Sequence, residues 1–216
     1  MGTLLILAAA AGALAVVLAL RLWLVLHSRV IVPRKSVSLM VVAGSGGHTT
    51  EMLRLLERLS SAYSPRHYVV ADTDEFSAQK IHSFEQSRAE RDPTATASAY
   101  YIHRIPRSRE VRQSWLSTVF TTLRSAWLSF PLTYRVKPDL VLCNGPGTCV
   151  PVCASALLLG LLGVKRVLLV YVESVCRVEH LSLSGRILRP FSDYFVVQWP
   201  TLKERYPTSV YLGRVV

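Results

Sequence analysis

Val41-Val42-Ala43-Gly44-Ser45-Gly46-Gly47-His48-Thr49-Thr50-Glu51 is the stretch from which the fold is read. The apolar run Val37 to Ala43 has the character of a buried strand, and Met52, Leu53, Leu55, Leu56 and Leu59 recur at helical spacing. Strand, glycine turn and helix together open a βαβ unit. Gly44, Gly46 and Gly47 carry no Cβ, so backbone N–H groups there can approach a ligand closely. The first N–H groups of the helix are unpaired and its dipole favours negative charge, so the expected guest is a phosphate or another anion. The loop is not a P-loop, because no Gly-Lys-Ser/Thr follows. Nor is it a complete dinucleotide fingerprint, since Thr49 stands where the third glycine belongs. His48 falls at the helix start, either as an imidazole that meets substrate or as a surface residue of a tight turn.

Outward from this unit, strands and helices alternate. Strands are expected near 37–43, 67–72, 99–104, 139–143, 166–172, 194–198 and 209–213. Helices are expected near 47–60, 74–90, 113–136, 148–162, 180–189 and 200–206. Continuous apolar runs such as Asp139-Leu-Val-Leu-Cys143 and Arg166-Val-Leu-Leu-Val-Tyr-Val172 suit strands covered on both faces of a parallel sheet. The predicted class is α/β, a single doubly wound, Rossmann-like domain.

In such sheets the ligand crevice lies outside the carboxyl ends of the strands. Small, polar and ionisable residues gather there: the Gly44–His48 turn, Asp72-Thr73-Asp74, His103 to Arg107, Asn144-Gly145-Pro146-Gly147-Thr148, and Glu173-Ser174. The Asn144–Thr148 segment reads either as a second backbone cradle beside the first or as a plain turn into a helix. The aspartates equally suit turns and N-caps. Glu173 follows a strongly apolar strand and is a general base, a sugar-hydroxyl ligand or an ion-pair partner for Arg177. Arg104, Arg107, Arg109 and Arg112 make a basic run opposed only by Glu110. The next helix has a broad apolar face of Trp115, Leu116, Val119, Phe120, Leu123, Trp127 and Phe130. It packs on the sheet, lies in a membrane interface, or, being wide, splits between core and lipid.

Thr3 to Leu20 carries no charge, and the run extends to Leu26 if Arg21 is accommodated. A helix of about 24 residues spans ~36 Å, enough for a bilayer. Residues 1–28 are therefore expected to be an uncleaved transmembrane anchor, with residues 36–216 forming the domain. A signal peptide fits less well, because no basic segment precedes the apolar run. Arg21, Arg29, Arg34 and Lys35 all lie at its end or beyond, which places the domain in the cytosol by the positive-inside rule. Cys143, Cys149, Cys153 and Cys176 show no zinc spacing and read as small buried apolar residues of a reducing compartment. The single asparagine, Asn144, precedes Gly-Pro and offers no glycosylation acceptor. The net charge of +11 comes with no zinc finger, RNA-binding aromatic motif or long basic helix. An anionic membrane surface, rather than nucleic acid, is the fitting partner. The apolar C-terminus, Val210 to Val216, either closes the last strand internally or docks on another chain.

The set formed by the anchor, Val42-Ala43-Gly44-Ser45-Gly46-Gly47-His48-Thr49, Asn144-Gly-Pro-Gly-Thr148, Tyr171-Val-Glu-Ser174 and Tyr211-Leu-Gly-Arg214 resembles the membrane-anchoring subunit of the two-chain UDP-N-acetylglucosamine transferase of asparagine-linked glycosylation. The resemblance covers essentially the whole chain. The glycine–histidine loop alone is also found in the bacterial glycosyltransferase that makes the lipid-linked peptidoglycan precursor. The resemblance implies the N-terminal, acceptor-binding half of a GT-B glycosyltransferase, the donor-binding half being a separate soluble catalytic subunit. It implies a single-pass protein of the endoplasmic reticulum membrane, N-terminus luminal and domain cytosolic, which recruits that subunit through its C-terminal tail. The pair adds the second GlcNAc to GlcNAc-diphosphate-dolichol with inversion. No cofactor and no bound metal are implied. His48 and Glu173 are the candidate bases. Gly44, Ser45, Gly46, Gly47, Thr49, Arg104, Arg107, Asn144, Gly145, Gly147 and Thr148 are the candidate diphosphate and acceptor ligands. The competing classes are a non-catalytic membrane scaffold and an anchored NAD-dependent oxidoreductase.

Overall fold

The computed structural model describes residues 2–27, 35–44, 46–91, 99–109 and 113–216. Ser45, Arg29, Arg34, Glu110, Arg112 and the side chain of Trp115, all part of the sequence reading, lie outside what is described. The central layer is a parallel sheet of β1 (Leu39–Gly44), β2 (Arg66–Ala71), β3 (Tyr100–Ile105), β4 (Leu140–Asn144), β5 (Leu168–Val172), β6 (Tyr194–Val197) and β7 (Val210–Tyr211). The helices are α1 (Gly2–His27), α2 (Gly47–Glu57), α3 (Glu75–Arg91), α4 (Trp115–Val136), α5 (Cys149–Leu161), α6 (Leu183–Leu188) and α7 (Pro200–Arg205).

The strand order is β3-β2-β1-β4-β5-β6-β7. The chain winds outward from β1 to β3, then crosses back to start β4 on the other side of β1. That reversal is a topological switch point, and the loops leaving β1 and β4 diverge there to open a crevice. Side chains alternate across β1: Met40 and Val42 join the core under α4 and α5, while Leu39, Val41 and Ala43 join the core under α2 and α3. Burial on both faces is why these strands are continuous apolar runs.

Several boundaries differ from the sequence reading for local reasons. The α2 helix stops at Glu57 rather than near 60, and the Arg88 guanidinium takes its end carbonyls, Leu56 O at 3.1 Å and Leu59 O at 2.6 Å. The helix expected over 180–189 begins only at Leu183, because Ser182 is its N-cap and accepts from Gly185 N at 3.0 Å. The last strand is only Val210–Tyr211; beyond it Val215 N donates to Gln198 Oε1 at 3.1 Å, tying the tail back to β6.

The α4 helix splits its apolar stripe, most of it facing outward and its end facing the core. Its inward face is small and hydroxylic: Ser125, Ser129 and Thr133 are fully buried. Ser129 Oγ and Thr133 Oγ1 donate to the carbonyls four residues back, at 2.7 and 2.8 Å, so these hydroxyls cost no unsatisfied donor. Small residues at that spacing allow close helix contact. Leu116, Phe120, Leu123 and Trp127 point outward, Trp127 at 81% exposure, while Phe130 turns in against the core. The exposed side of α4 is thus its apolar side.

The α1 helix is 26 residues long and, by length and composition, able to cross a membrane. Only its last turns meet the domain. Val25 is buried against Gly160 on α5, where an added Cβ would come within 3.0 Å of a Val25 methyl, and Arg21 lies against Gly163.

At the amino end of β2 lies a buried ionic cluster. Arg66, fully buried, donates from Nε and Nη2 to the two Glu85 oxygens at 2.8 and 2.6 Å, and from Nη1 to Tyr63 O at 3.0 Å. Tyr68 OH also donates to Glu85. Burial and the adjoining carboxylate push the Tyr68 phenol well above its ordinary range.

Candidate functional site

The crevice between β1 and β4 is walled by two glycine turns that interlock. Gly44 has φ +63°, and a Cβ there would fall 2.6 Å from the Pro146 ring. Gly145 has φ +71°, and a Cβ there would fall 2.5 Å from Cε1 of His48. Each loop is therefore glycine because the other loop occupies the space, as well as for its backbone angle. His48 Nδ1 lies 3.2 Å from Asn144 Oδ1, joining the two loops directly.

Gly46 (φ +60°) is the N-cap of α2 and supplies no side-chain cap; neither it nor Gly47 has a neighbour within 4 Å of a built Cβ. The first α2 N–H groups thus border open space. On the other wall Thr148 precedes α5 without a capping bond; Thr148 is 8% exposed, and its Oγ1 is buried with no hydrogen-bond partner. The Arg107 Nε is likewise buried and unpartnered. Arg107 is held close by: Ser108 lies 4.0 Å from a Cβ built on Gly147, and its carbonyl accepts from Thr121 Oγ1 on α4 at 2.7 Å. Two helix N-termini, an orphan hydroxyl and an orphan guanidinium N–H flanking one crevice form a cradle of donors suited to a diphosphate.

The other expected ligands are placed differently. The Thr49 hydroxyl is fully buried, donates to Ala43 O at 2.9 Å and sits 2.6 Å from Ser77 Oγ, so it locks α2 to β1 and α3. Arg104 is taken by Glu75 at 2.6 Å and by Asp72 O at 3.1 Å. Asp74 caps α3 through Ser77 N at 3.0 Å. Glu173 is fully buried and accepts from Ser182 N (3.0 Å), Ser182 Oγ (3.1 Å) and Ser174 N (3.2 Å), with Oε2 packed against Gly185. Burial raises its pKa, while the Ser182 and Ser174 hydrogen bonds and the Arg177 charge oppose the rise. The carboxylate faces α6 rather than His48, and its contacts organise the β5–α6 connection. Cys143 on β4 and Cys149 and Cys153 on α5 are buried, the thiols of Cys143 and Cys149 pushed up by burial and that of Cys153 by its contact with Cys143 and by burial, whereas Cys176 is exposed rather than buried.

Glu51 has no assigned role in the sequence reading. Its carboxylate accepts from Asn144 Nδ2 (3.1 Å), Ser174 Oγ (2.8 Å) and Val175 N (3.3 Å), bridging the ends of β4 and β5. The only sequence signal is its place three residues beyond His48, on the same helical face.

A Rossmann-like parallel sheet with two glycine turns meeting at its switch point, carried behind an apolar helix, is the class of protein that the fold and the site define. The chain belongs to the Alg14 family: the model described as oligosaccharide biosynthesis protein Alg14 like matches residues 39–215. A relative named UDP-N-acetylglucosamine transferase subunit ALG14, from Homo sapiens, is 73% identical over 212 residues, covering 98% of each chain. The protein of that name from Yarrowia lipolytica is 42% identical, covering 96% of this chain and 97% of its own. Among solved structures, MurG of Acinetobacter baumannii shares the fold with a TM-score of 0.54 at 15% identity. The match covers 82% of this chain and 45% of that one, so this chain spans less than half of MurG. The NAD-dependent reading is not favoured by this membership.

Proposed function

We propose that this chain is the membrane-anchored, acceptor-side subunit of an N-acetylglucosaminyltransferase that adds GlcNAc from UDP-GlcNAc to GlcNAc-diphosphate-dolichol at the cytosolic face of the endoplasmic reticulum. The observation that carries the reading is the donor cradle at the β1/β4 switch point, with the Thr148 hydroxyl and Arg107 Nε buried and unpartnered. An acceptor diphosphate supplies the missing acceptors once the two loops part to admit it, since both atoms are buried. The name shared by the relatives supplies the donor, and their description as a subunit supports a second chain holding the UDP-sugar. Residues 1–28 are the anchor and 36–216 the acceptor domain. The docking of α1 on α5 through Val25 and Gly160 supports an anchor that is retained.

The product bond is β and the donor α-linked, so transfer inverts in one displacement. A base must take the acceptor hydroxyl proton as that oxygen attacks the sugar, and UDP leaves with the bonding pair. His48 is the base in this reading, rather than Glu173, whose carboxylate is engaged by Ser182 and Ser174. In this reading the donor site belongs to the second chain, and this chain transfers nothing without it. Membranes holding GlcNAc-diphosphate-dolichol and this chain are expected to transfer GlcNAc only once the soluble subunit is added. Removal of Leu212–Val216, whose Leu212 is 68% exposed, is expected to abolish that recruitment while the chain stays in the membrane. Transfer by this chain alone overturns the split-enzyme reading, and undiminished co-purification overturns the tail.

The outward apolar face of α4 sets the height of the cradle. Leu116, Phe120, Leu123 and Trp127 enter the lipid interface, as do exposed Leu158 on α5, the helix that holds α1, and Leu162 at its C-cap. Because Ser108 is bonded to α4, the Arg107 loop is carried to the headgroup level. Changing these four α4 residues to serine is expected to raise the apparent KM for a long-chain lipid acceptor roughly tenfold, leaving a short-chain soluble acceptor within about twofold. An equal change for both acceptors would remove α4 from the membrane.

A further inference from the structure

Glu51 and His48 meet opposite ends of one side chain, the carboxamide of Asn144. Asn144 is fully buried between them. On one side of its carboxamide stand Glu51 Oε2 at 3.1 Å and Val172 O at 3.4 Å. Both are acceptors, so the amide NH2 must face them and its oxygen must face His48 Nδ1, 3.2 Å away. An amide oxygen only accepts, so the imidazole must donate from Nδ1. In the neutral ring the remaining nitrogen, Nε2, then bears a lone pair, and it has no hydrogen-bond partner among the described residues.

We propose that Glu51 is a positioning residue of the transfer reaction: by orienting Asn144 it holds His48 as the Nδ1–H tautomer and leaves Nε2 as the atom that takes the acceptor proton. The inference rests on His48 acting at the acceptor, as proposed above. The balance is simple. The acceptor O–H bond breaks and its proton goes to Nε2. The oxygen forms the new bond to the anomeric carbon, and the bond from that carbon to the UDP oxygen breaks, its electron pair leaving with UDP. Nδ1–H keeps its bond to Asn144 throughout, so nothing reorganises, and the ionised Glu51 lies behind the amide as positive charge develops on the ring. Turned the other way, the amide would present N–H to Nδ1. The ring would then be held as the Nε2–H tautomer, with no base aimed outward. The hydrogen bonds from Ser174 Oγ at 2.8 Å and Val175 N at 3.3 Å keep the carboxylate itself in place.

The test uses the full chain in lipid nanodiscs with its soluble subunit, labelled with 15N-histidine, the His48 signals being assigned by their loss in H48Q. The wild type is expected to show the Nδ1–H pattern. Glu51→Met keeps the length of the side chain but removes both acceptor oxygens, so Asn144 loses the partner that orients it. A mixed or reversed tautomer is expected, with kcat down about 10- to 100-fold and the KM for UDP-GlcNAc within about twofold. Glu51→Gln, whose amide oxygen can still accept from Asn144 while its NH2 donates to the Ser174 hydroxyl, and Ser174→Ala, which leaves Asn144 bonded, are expected to keep the Nδ1–H pattern. A wild-type Nε2–H pattern overturns the proposal, as does an E51M chain with unchanged tautomer or unchanged kcat. If H48A abolishes turnover and E51M does not, this inference alone fails. If H48A turns over normally, the functional reading beneath it fails.

Discussion

Replacing His48 by alanine is expected to lower turnover of the reconstituted two-chain enzyme by about 10²- to 10⁴-fold, the usual worth of a positioned general base. The expectation comes from placement. His48 opens α2 at the switch point, its Nδ1 is committed to Asn144, and its other nitrogen has no protein partner among the described residues. Because Gly145 leaves just enough room for the ring, alanine at position 48 creates a gap without a clash. The chain should therefore still enter the membrane and bind its subunit, and assays of both at undiminished yield would assign the loss to chemistry. The same substitution separates this reading from the scaffold reading. A scaffold has no use for the imidazole, and turnover within about twofold of wild type would establish that class instead.

Replacing Glu85 by alanine is expected to produce the largest loss of stability, about 3–5 kcal/mol. The side chains of Arg66 and Glu85 are 0% and 2% exposed, so losing the carboxylate leaves a guanidinium and the Tyr68 hydroxyl in the interior without their acceptor. For a domain of this size that corresponds to a fall in Tm of roughly 6–20 °C. A paired change, Arg66→Met with Glu85→Leu, removes both charges and is expected to recover most of the loss, since a well-packed apolar pair escapes the desolvation cost. The cluster sits at the amino end of β2 and the crevice at the carboxyl end of β1, so kcat per folded molecule should hold in both variants. A Tm for Glu85→Ala within about 1 °C of wild type would mean the pair is solvated after all.

The strands were legible in the sequence because a parallel sheet covered on both faces demands unbroken apolar runs, and the run ending at Ala43 is met as β1. The glycine turns were legible because positive φ and close approach exclude other residues, and Gly44 and Gly145 show both. The Arg66–Glu85 pair was not legible, since an arginine opening a strand and a glutamate far along a helix look like surface residues until the fold brings them together. Nor was the direction of α4. Period 3.6 identifies two faces but not which one meets the protein, and Ser125, Ser129 and Thr133 face inward.

The sequence by itself determined the Rossmann-like class, the apolar N-terminal helix, the two glycine loops and the family, because each rests on local pattern or on motif. Only the tertiary structure decided what the side chains at the crevice do. It buried the Thr49 hydroxyl, engaged Arg104 with Glu75, turned Glu173 towards Ser182, and left Thr148 Oγ1 and Arg107 Nε unpartnered. It also set Glu51 behind Asn144, and Asn144 against His48. The last two contacts join residues 93 and 96 positions apart, which chain crossings bring to one end of the sheet. Residue type states what a side chain can donate or accept; its neighbours in space decide which of those capacities is already used.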